Sequence, residues 1–158
     1  MTKALANKND AVDLLDADHI AVKKLFDAYK KLCENDASGE EKQKLADQIC
    51  QELTVHAQIE EEIFYPQVRD AIDEDDLLDE AEVEHDTAKD LISQIEEMDP
   101  EDDLYDAKVT VLGEYIDHHV KEEREEMFPK ARASDLDLVA MADELSERKM
   151  ELMESSDE

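Results

Sequence analysis

Glycine and proline are nearly missing from this 158-residue chain, which holds Gly 2 and Pro 3. Ordinary usage is about 7% and 5%. A β-sandwich or barrel needs a glycine- or proline-bearing turn about every ten residues, so both are excluded and long helices remain. Positive charge is the second scarcity. Lys+Arg 17 stand against Asp+Glu 47, a formal net charge of -30 with a pI near 4.2. Such a surface repels phosphate backbones and anionic lipid, which argues against nucleic acid and membranes as partners, and it draws divalent cations. Solubility or adaptation to salt would call for the same acidity. Cysteine is limited to Cys33 and Cys50, too few for a disulfide scaffold; free, mostly buried thiols in a reducing cytoplasm are expected. Long apolar runs are missing too. None approaches the roughly 18 residues of a spanning helix, and Met1 to Asp10 lacks the hydrophobic region of a signal peptide.

The apolar residues that are present decide between order and disorder. Leu, Ile, Val and Phe make up about 23% of the chain, just above the roughly 20% of disordered chains, so composition alone leaves the matter open. Placement closes it. Leu15, Val22, Phe26, Tyr29 and Cys33 recur at helical spacing, as do Leu45, Ile49, Leu53 and Ile63. Leu78, Ala81, Ala88, Ile92 and Ile95 form a third stripe, and Val109, Leu112, Ile116 and Met127 a fourth. Steps of three and four put each set on one helix face. Between the blocks, Ser38 and Glu41 read as a capping box and Asp73 to Asp76 as an acidic break. Asp99-Pro100 reads as a cap with proline at the first helical position. Ser134-Asp135 opens a last helix. The pattern predicts an all-α protein: an up-down-up-down four-helix bundle over about 10–132, with a short additional C-terminal helix over about 135–153. One domain is expected over 1–158, with a frayed tail from Glu154 to Glu158.

Each stripe also carries residues foreign to an apolar core. His19 falls between Leu15 and Val22, and His85 between Ala81 and Ala88; His56 and Glu60 follow Leu53, and His119 and Glu123 follow Ile116. An unpartnered buried carboxylate costs several kcal/mol, so two at matching depths require a common cause. A duplication supplies the frame. His56-Ala-Gln-Ile-Glu60 with Phe64-Tyr65-Pro66 matches His119-Val-Lys-Glu-Glu123 with Met127-Phe128-Pro129, and each proline stands ten residues after its histidine. His19 and His85 precede these pairs by 37 and 34 residues. Histidine and glutamate four apart share a helix face and can reach one metal together. Two such pairs in register, each joined by an inward histidine from the preceding helix, predict a metal site of His19, His56, Glu60, His85, His119 and Glu123. His118 aligns with Val55, about 100° round the helix, and is expected at the surface or in helix packing.

In these residues the sequence resembles the hemerythrin-like (HHE cation-binding) family, over about Asp10 to Arg132. The resemblance implies a four-helix bundle with two non-haem iron ions on its axis. His19 and His56 would serve one ion and His85 and His119 the other, with Glu60, Glu123 and an oxo or hydroxo group bridging them. Manganese or zinc suits the same donors. Two octahedral ions need about twelve positions and this set supplies about ten. The fifth histidine of the oxygen-carrying members is absent, because Ala81 and Lys89 stand one turn either side of His85. Two positions are then open, or Glu52, Glu82 or Asp16 fills one; each of the three reads more simply as a supporting or surface carboxylate.

Phe64, Tyr65 and Phe128 read as packing at the bundle end, with a redox or gating role the alternative for Tyr65. Tyr115 reads as core that could also bond at the site. Pro66 and Pro129 should bend or end their helices. The expected function is a cytoplasmic di-iron protein that reacts with or senses O₂, NO or H₂O₂. The competing expectation is an iron or divalent-metal sensor, buffer or delivery module without turnover. A purely structural bundle is the third.

Overall fold

The computed structural model describes residues 9–156, and among them every regular element is helical. Helix α1 spans Ala11–Glu34 and α2 spans Gly39–Ile59, which passes through a π-helical turn (Glu60–Phe64) into α3 (Tyr65–Ile72). After α4 (Asp75–Glu97), α5 (Tyr105–Glu122) passes through a second π-helical turn (Glu123–Met127) into α6 (Phe128–Ala133). The chain closes with α7, Leu138–Ser156. Helix α1 lies beside α2 and α5, and α4 also lies beside α2 and α5, so four long rods close a ring. This is the predicted four-helix bundle. No helix among the described residues is long and apolar enough to cross a membrane.

The ends of the rods follow from local chemistry. Asp10 and Asp13 cap α1 reciprocally, and the Ser38 hydroxyl accepts from Glu41 N at the start of α2. Asp73 ends α3 in the left-handed region, with φ 54. Two expected starts are displaced. The fourth rod begins at Tyr105 rather than Pro100, because Asp99 accepts from Glu101 N and Asp102 from Leu104 N. These two Asx turns take up the donors that would have opened a helix. The last helix begins at Leu138 rather than Ser134-Asp135; Ser134 closes a turn on Leu136 N, and Asp137 caps Ala140 N. At 19 residues α7 is as long as α5, not short, and packs on α1, α2 and the first π-helical turn. Its helix holds from Glu154 to Ser156, where fraying was expected; the rest of that tail lies outside the described residues.

Pro66 and Pro129 do not end their helices. Each follows a π-helical turn in which Tyr65 N and Phe128 N reach back five residues, to the Glu60 and Glu123 carbonyls. The widened turn accommodates a residue that has no backbone donor and would otherwise press on the preceding carbonyl. Two apolar clusters fill the bundle. One gathers Leu15, Ile59, Phe64, Met127 and Leu145 at the α3–α6–α7 end, and the other gathers Val22, Ile49, Leu53, Ile92 and Leu112 towards the far end. No buried residue belongs to both. Cys50 is buried and Cys33 half-buried, both as free thiols.

Candidate metal centre

The gap between the two apolar clusters is where the polar residues of the stripes meet. His19 arrives on α1, His56 on α2, His85 on α4 and His119 on α5, while Glu60 and Glu123 are the first residues of the two π-helical turns. All six are buried, none more than 8% exposed. His19 Nε2 stands 3.1 Å from His56 Nε2, with ring centroids 4.8 Å apart at 65°. His85 and His119 repeat this at 4.9 Å and 63°. The sequence duplication is therefore a duplication in space. The carboxylates lie between the halves. Glu123 Oε1 is 3.2 Å from His19 Nε2 and its Oε2 is 3.5 Å from His119 Nε2. Glu60 Oε1 is 3.4 Å from His56 Nε2 and 3.2 Å from His85 Nε2.

Three outer carboxylates orient the imidazoles. Nδ1 of His56 bonds Asp18 at 2.9 Å, Nδ1 of His85 bonds Glu61 at 2.8 Å, and Nδ1 of His119 bonds Glu84 at 2.5 Å. A proton held on Nδ1 leaves the Nε2 lone pair facing the centre and raises the basicity of the ring. Asp18 also accepts from Lys149 of α7 at 2.6 Å, and Glu61 from Lys89 at 2.7 Å. Nδ1 of His19 makes no hydrogen bond, although Asp16 lies 3.5 Å away and itself pairs with Arg124. None of these supporting carboxylates except Asp16 was expected from the sequence. One signal was available: Asp18 and Glu84 each directly precede the lone histidine of their half.

The electrostatics call for positive charge at the centre. Burial pulls His56 towards its neutral form, but Glu60 and Asp18 outweigh it and raise the pKa from 6.5 to about 10. For His119, burial is outweighed by Glu123 and Glu84, and the pKa reaches about 11. Burial would raise Glu123, yet His119 and His19 hold it well below the usual carboxylate range. Even so, Glu60 Oε2 and Glu123 Oε1 are fully buried without a hydrogen bond. Such atoms cost about 1–3 kcal/mol each unless something satisfies them. Two clusters of Nε2 and carboxylate oxygens, with donor atoms within 4.8 Å in each, fit a pair of divalent or trivalent cations.

Other side chains sort as follows. Glu52 and Glu82 stay outside both buried clusters, and Glu82 is exposed. Asp16 lies on the Nδ1 side of His19 at 3.5 Å, makes no hydrogen bond to it and pairs with Arg124. His118 is at the surface, its side chain 62% exposed beside Glu122. Tyr115 packs on the far apolar cluster and lines the cavity beside the histidines. Tyr65 is buried, as packing required, but its hydroxyl enters the centre: it lies 2.6 Å from Glu123 Oε2 and 3.2 Å from Glu60 Oε1. Helical counting hides this. Nine residues beyond His56, Tyr65 should fall about 180° round the helix. The π-helical turn inserts one extra residue and swings it back by about 100°.

Comparison with known proteins agrees with this geometry. The model of the hemerythrin HHE cation binding domain matches residues 10–131. The fold is that of a solved hemerythrin HHE cation binding domain-containing protein from Mycobacterium kansasii, with a TM-score of 0.77 and 22% identity over 93% of this chain and 89% of that one. A DNA nickase from Nostoc sp. (strain PCC 7120) is 32% identical over 120 residues; these are 76% of this chain but 33% of that protein, so this chain spans about a third of that relative's length. With the domain model matched over most of the chain and histidine–carboxylate clusters at its axis, this protein belongs to the hemerythrin HHE cation-binding family.

Proposed function

We propose that this protein holds two iron ions between its four long helices and reacts with a small diatomic or a peroxide: O₂, NO or H₂O₂. His19 and His56 would hold one ion and His85 and His119 the other, with Glu60 and Glu123 shared between them. Iron so held supplies one-electron redox chemistry and coordination positions for such molecules. The observation that carries the choice of substrate is a cavity of about 40 Å³ against the four histidines. It is walled by Val22, Leu53, Ala88, Ile92 and Ile116. Sites for organic ligands run to roughly 300–1,000 Å³, so this one suits a molecule of two to four atoms. Asp18, Thr54, Glu84 and Lys89 line it as well. Asp18, Glu61 and Glu84 keep the Nδ1 protons in place, so the imidazoles of His56, His85 and His119 would present lone pairs rather than protons to the ions. Glu60 and Glu123 offset the added positive charge. Manganese and zinc suit the same donors, and the two free thiols suit a cytoplasmic setting.

Anaerobic loading with ferrous iron, followed by air or peroxide, tests the reading. Two irons per chain, oxo-bridged ferric absorption and peroxide turnover are expected; one metal per chain without those bands overturns it. The net charge of -30 supports a second reading, an iron or divalent-metal sensor, buffer or delivery module. That reading expects reversible metal loss, a metal-dependent melting temperature and no turnover.

A further inference from the structure

We propose that Glu84, His118 and Glu122 form a divalent-cation site at the surface, separate from the buried centre, and that cations reach the centre from it through a crevice between α4 and α5. The loading step rests on the two-ion reading above; the surface site does not. His118 and Glu122 stand one turn apart on α5, and Glu84 comes from α4 beside them. His118 Nε2 lies 3.5 Å from Glu122 Oε2, and one donor atom from each of the three lies within 4.8 Å of the others. Donors on one tetrahedral ion with bonds of about 2.0–2.2 Å stand about 3.3–3.6 Å apart, so a small turn of the exposed His118 ring closes the set. One imidazole and two carboxylates suit zinc, manganese or ferrous iron.

Charge points to a cation here rather than to a solvated acidic face. Each of the three outer acids bonds an imidazole Nδ1, and two of them also hold a lysine: Lys149 on Asp18 and Lys89 on Glu61. Glu84 has no such partner. Among the described residues neither Glu84 nor Glu122 pairs with a lysine or arginine. Where the other two acids meet an ammonium group, Glu84 meets a second carboxylate and an exposed imidazole. A carboxylate has about four acceptor positions, and the bond from His119 Nδ1 to Glu84 Oε1 uses one of them. A divalent cation would fill the place that lysine takes at Asp18 and Glu61.

The crevice gives this site a way inward. Glu80, Glu84 and Glu122 line it together with the buried His119 and Glu123. Its volume of about 10 Å³ holds about one water-sized particle. Glu123 keeps one buried oxygen without a hydrogen bond, so the route ends on a ligand atom that nothing satisfies. The duplicated half has neither the site nor the opening. In the register that aligns His56 with His119, Val55 and Ile59 stand where His118 and Glu122 stand. Both are buried, at 4% and 0% exposed, and α7 packs on their rod.

Protein saturated with iron, with iron per chain counted on the same sample, is titrated with zinc in competition with a chromophoric chelator. The expected result is one zinc ion that His118→Ala and Glu122→Gln each lose, and that Glu147→Gln, changed at an exposed acid of α7, keeps. Zinc binding equal to wild type in His118→Ala or Glu122→Gln overturns the site. One iron per chain with the zinc result intact keeps the site and overturns the two-ion reading. Anaerobic uptake of ferrous iron by the metal-free protein, followed with a ferrous chelator, tests the route. Both variants are expected to load several-fold more slowly than wild type and to reach the same final iron content. Loading at the wild-type rate overturns the route, and a lower final iron content overturns the separation of the two sites. Should one variant fail to fold, the other decides.

Discussion

The two halves of the centre are alike where they face each other and different in much of what lies behind. Both present two imidazoles at nearly the same separation and tilt, 4.8 Å and 65° against 4.9 Å and 63°. Both hang the histidine of the His–Glu pair on an acid from the preceding rod, Asp18 for His56 and Glu84 for His119. The match then stops. Glu61, which follows Glu60, takes the Nδ1 proton of His85; Arg124, which follows Glu123, cannot do so for His19 and pairs with Asp16 instead. Lys149 of α7 braces Asp18, whereas Glu84 has the acidic Glu122 beside it. A duplicated chain therefore makes two half-sites with one geometry and two environments, and on the two-ion proposal the environment would set how firmly each held its ion.

Removing a shared carboxylate should break the comparison outright. In Glu123→Ala both halves lose a donor, so metal analysis is expected to show little or no bound iron, and the metal-induced rise in melting temperature should vanish. Single-histidine variants should break one half at a time: His56→Ala and His119→Ala are each expected to retain about one ion. Metal contents equal to wild type in both would return the centre to a structural polar core.

Outer-carboxylate variants should sharpen the comparison. Asp18→Asn, Glu61→Gln and Glu84→Gln are expected to weaken metal binding by about 10- to 100-fold, the usual effect of losing such support. Competition with a chromophoric chelator measures it. The pH dependence should follow from the raised imidazoles. In the metal-free protein His56 and His119 have pKa values of about 10 and 11 against an ordinary 6.5. Their contribution to stability is complete below about pH 6.5 and lost as pH rises through about 10 to 11. Metal must displace these protons, so its affinity is expected to rise with pH across the same window while metal-free stability falls. Chelator competition and thermal melts over that range check the two opposite slopes. The smallest effect is expected from Arg124→Glu, which gives His19 Nδ1 the acceptor that His85 already has. One hydrogen bond of about 0.5–1.5 kcal/mol should tighten the first half slightly.

Legibility in the sequence followed the range of the interaction. The six inward residues could be read because each lies on a periodic apolar stripe, and periodicity is local. The proline register also chose His119 over His118, whose side chain is 62% exposed. Tyr65 could not be placed, since a π-helical turn breaks the 100° count on which the reading depends. Glu61 could not be picked from 47 acidic residues, and Asp18 and Glu84 carried only their place before a lone histidine. What distinguishes them is an imidazole on another rod, 24 to 38 positions away. The starts of α5 and α7 were misplaced because Asp99 and Asp102 before α5, and Ser134 before α7, took backbone donors that would have opened a helix.

The sequence by itself therefore determined the four rods of the bundle, their inward faces and the buried polar residues that gather between them. These follow from spacing along one chain and from the cost of burying charge. Tertiary structure decided which carboxylate steadies which ring, that the two halves differ, and that a tyrosine rather than a fifth histidine enters the centre. Those outcomes depend on distances between rods, and on one widened turn in each half that no periodic count contains.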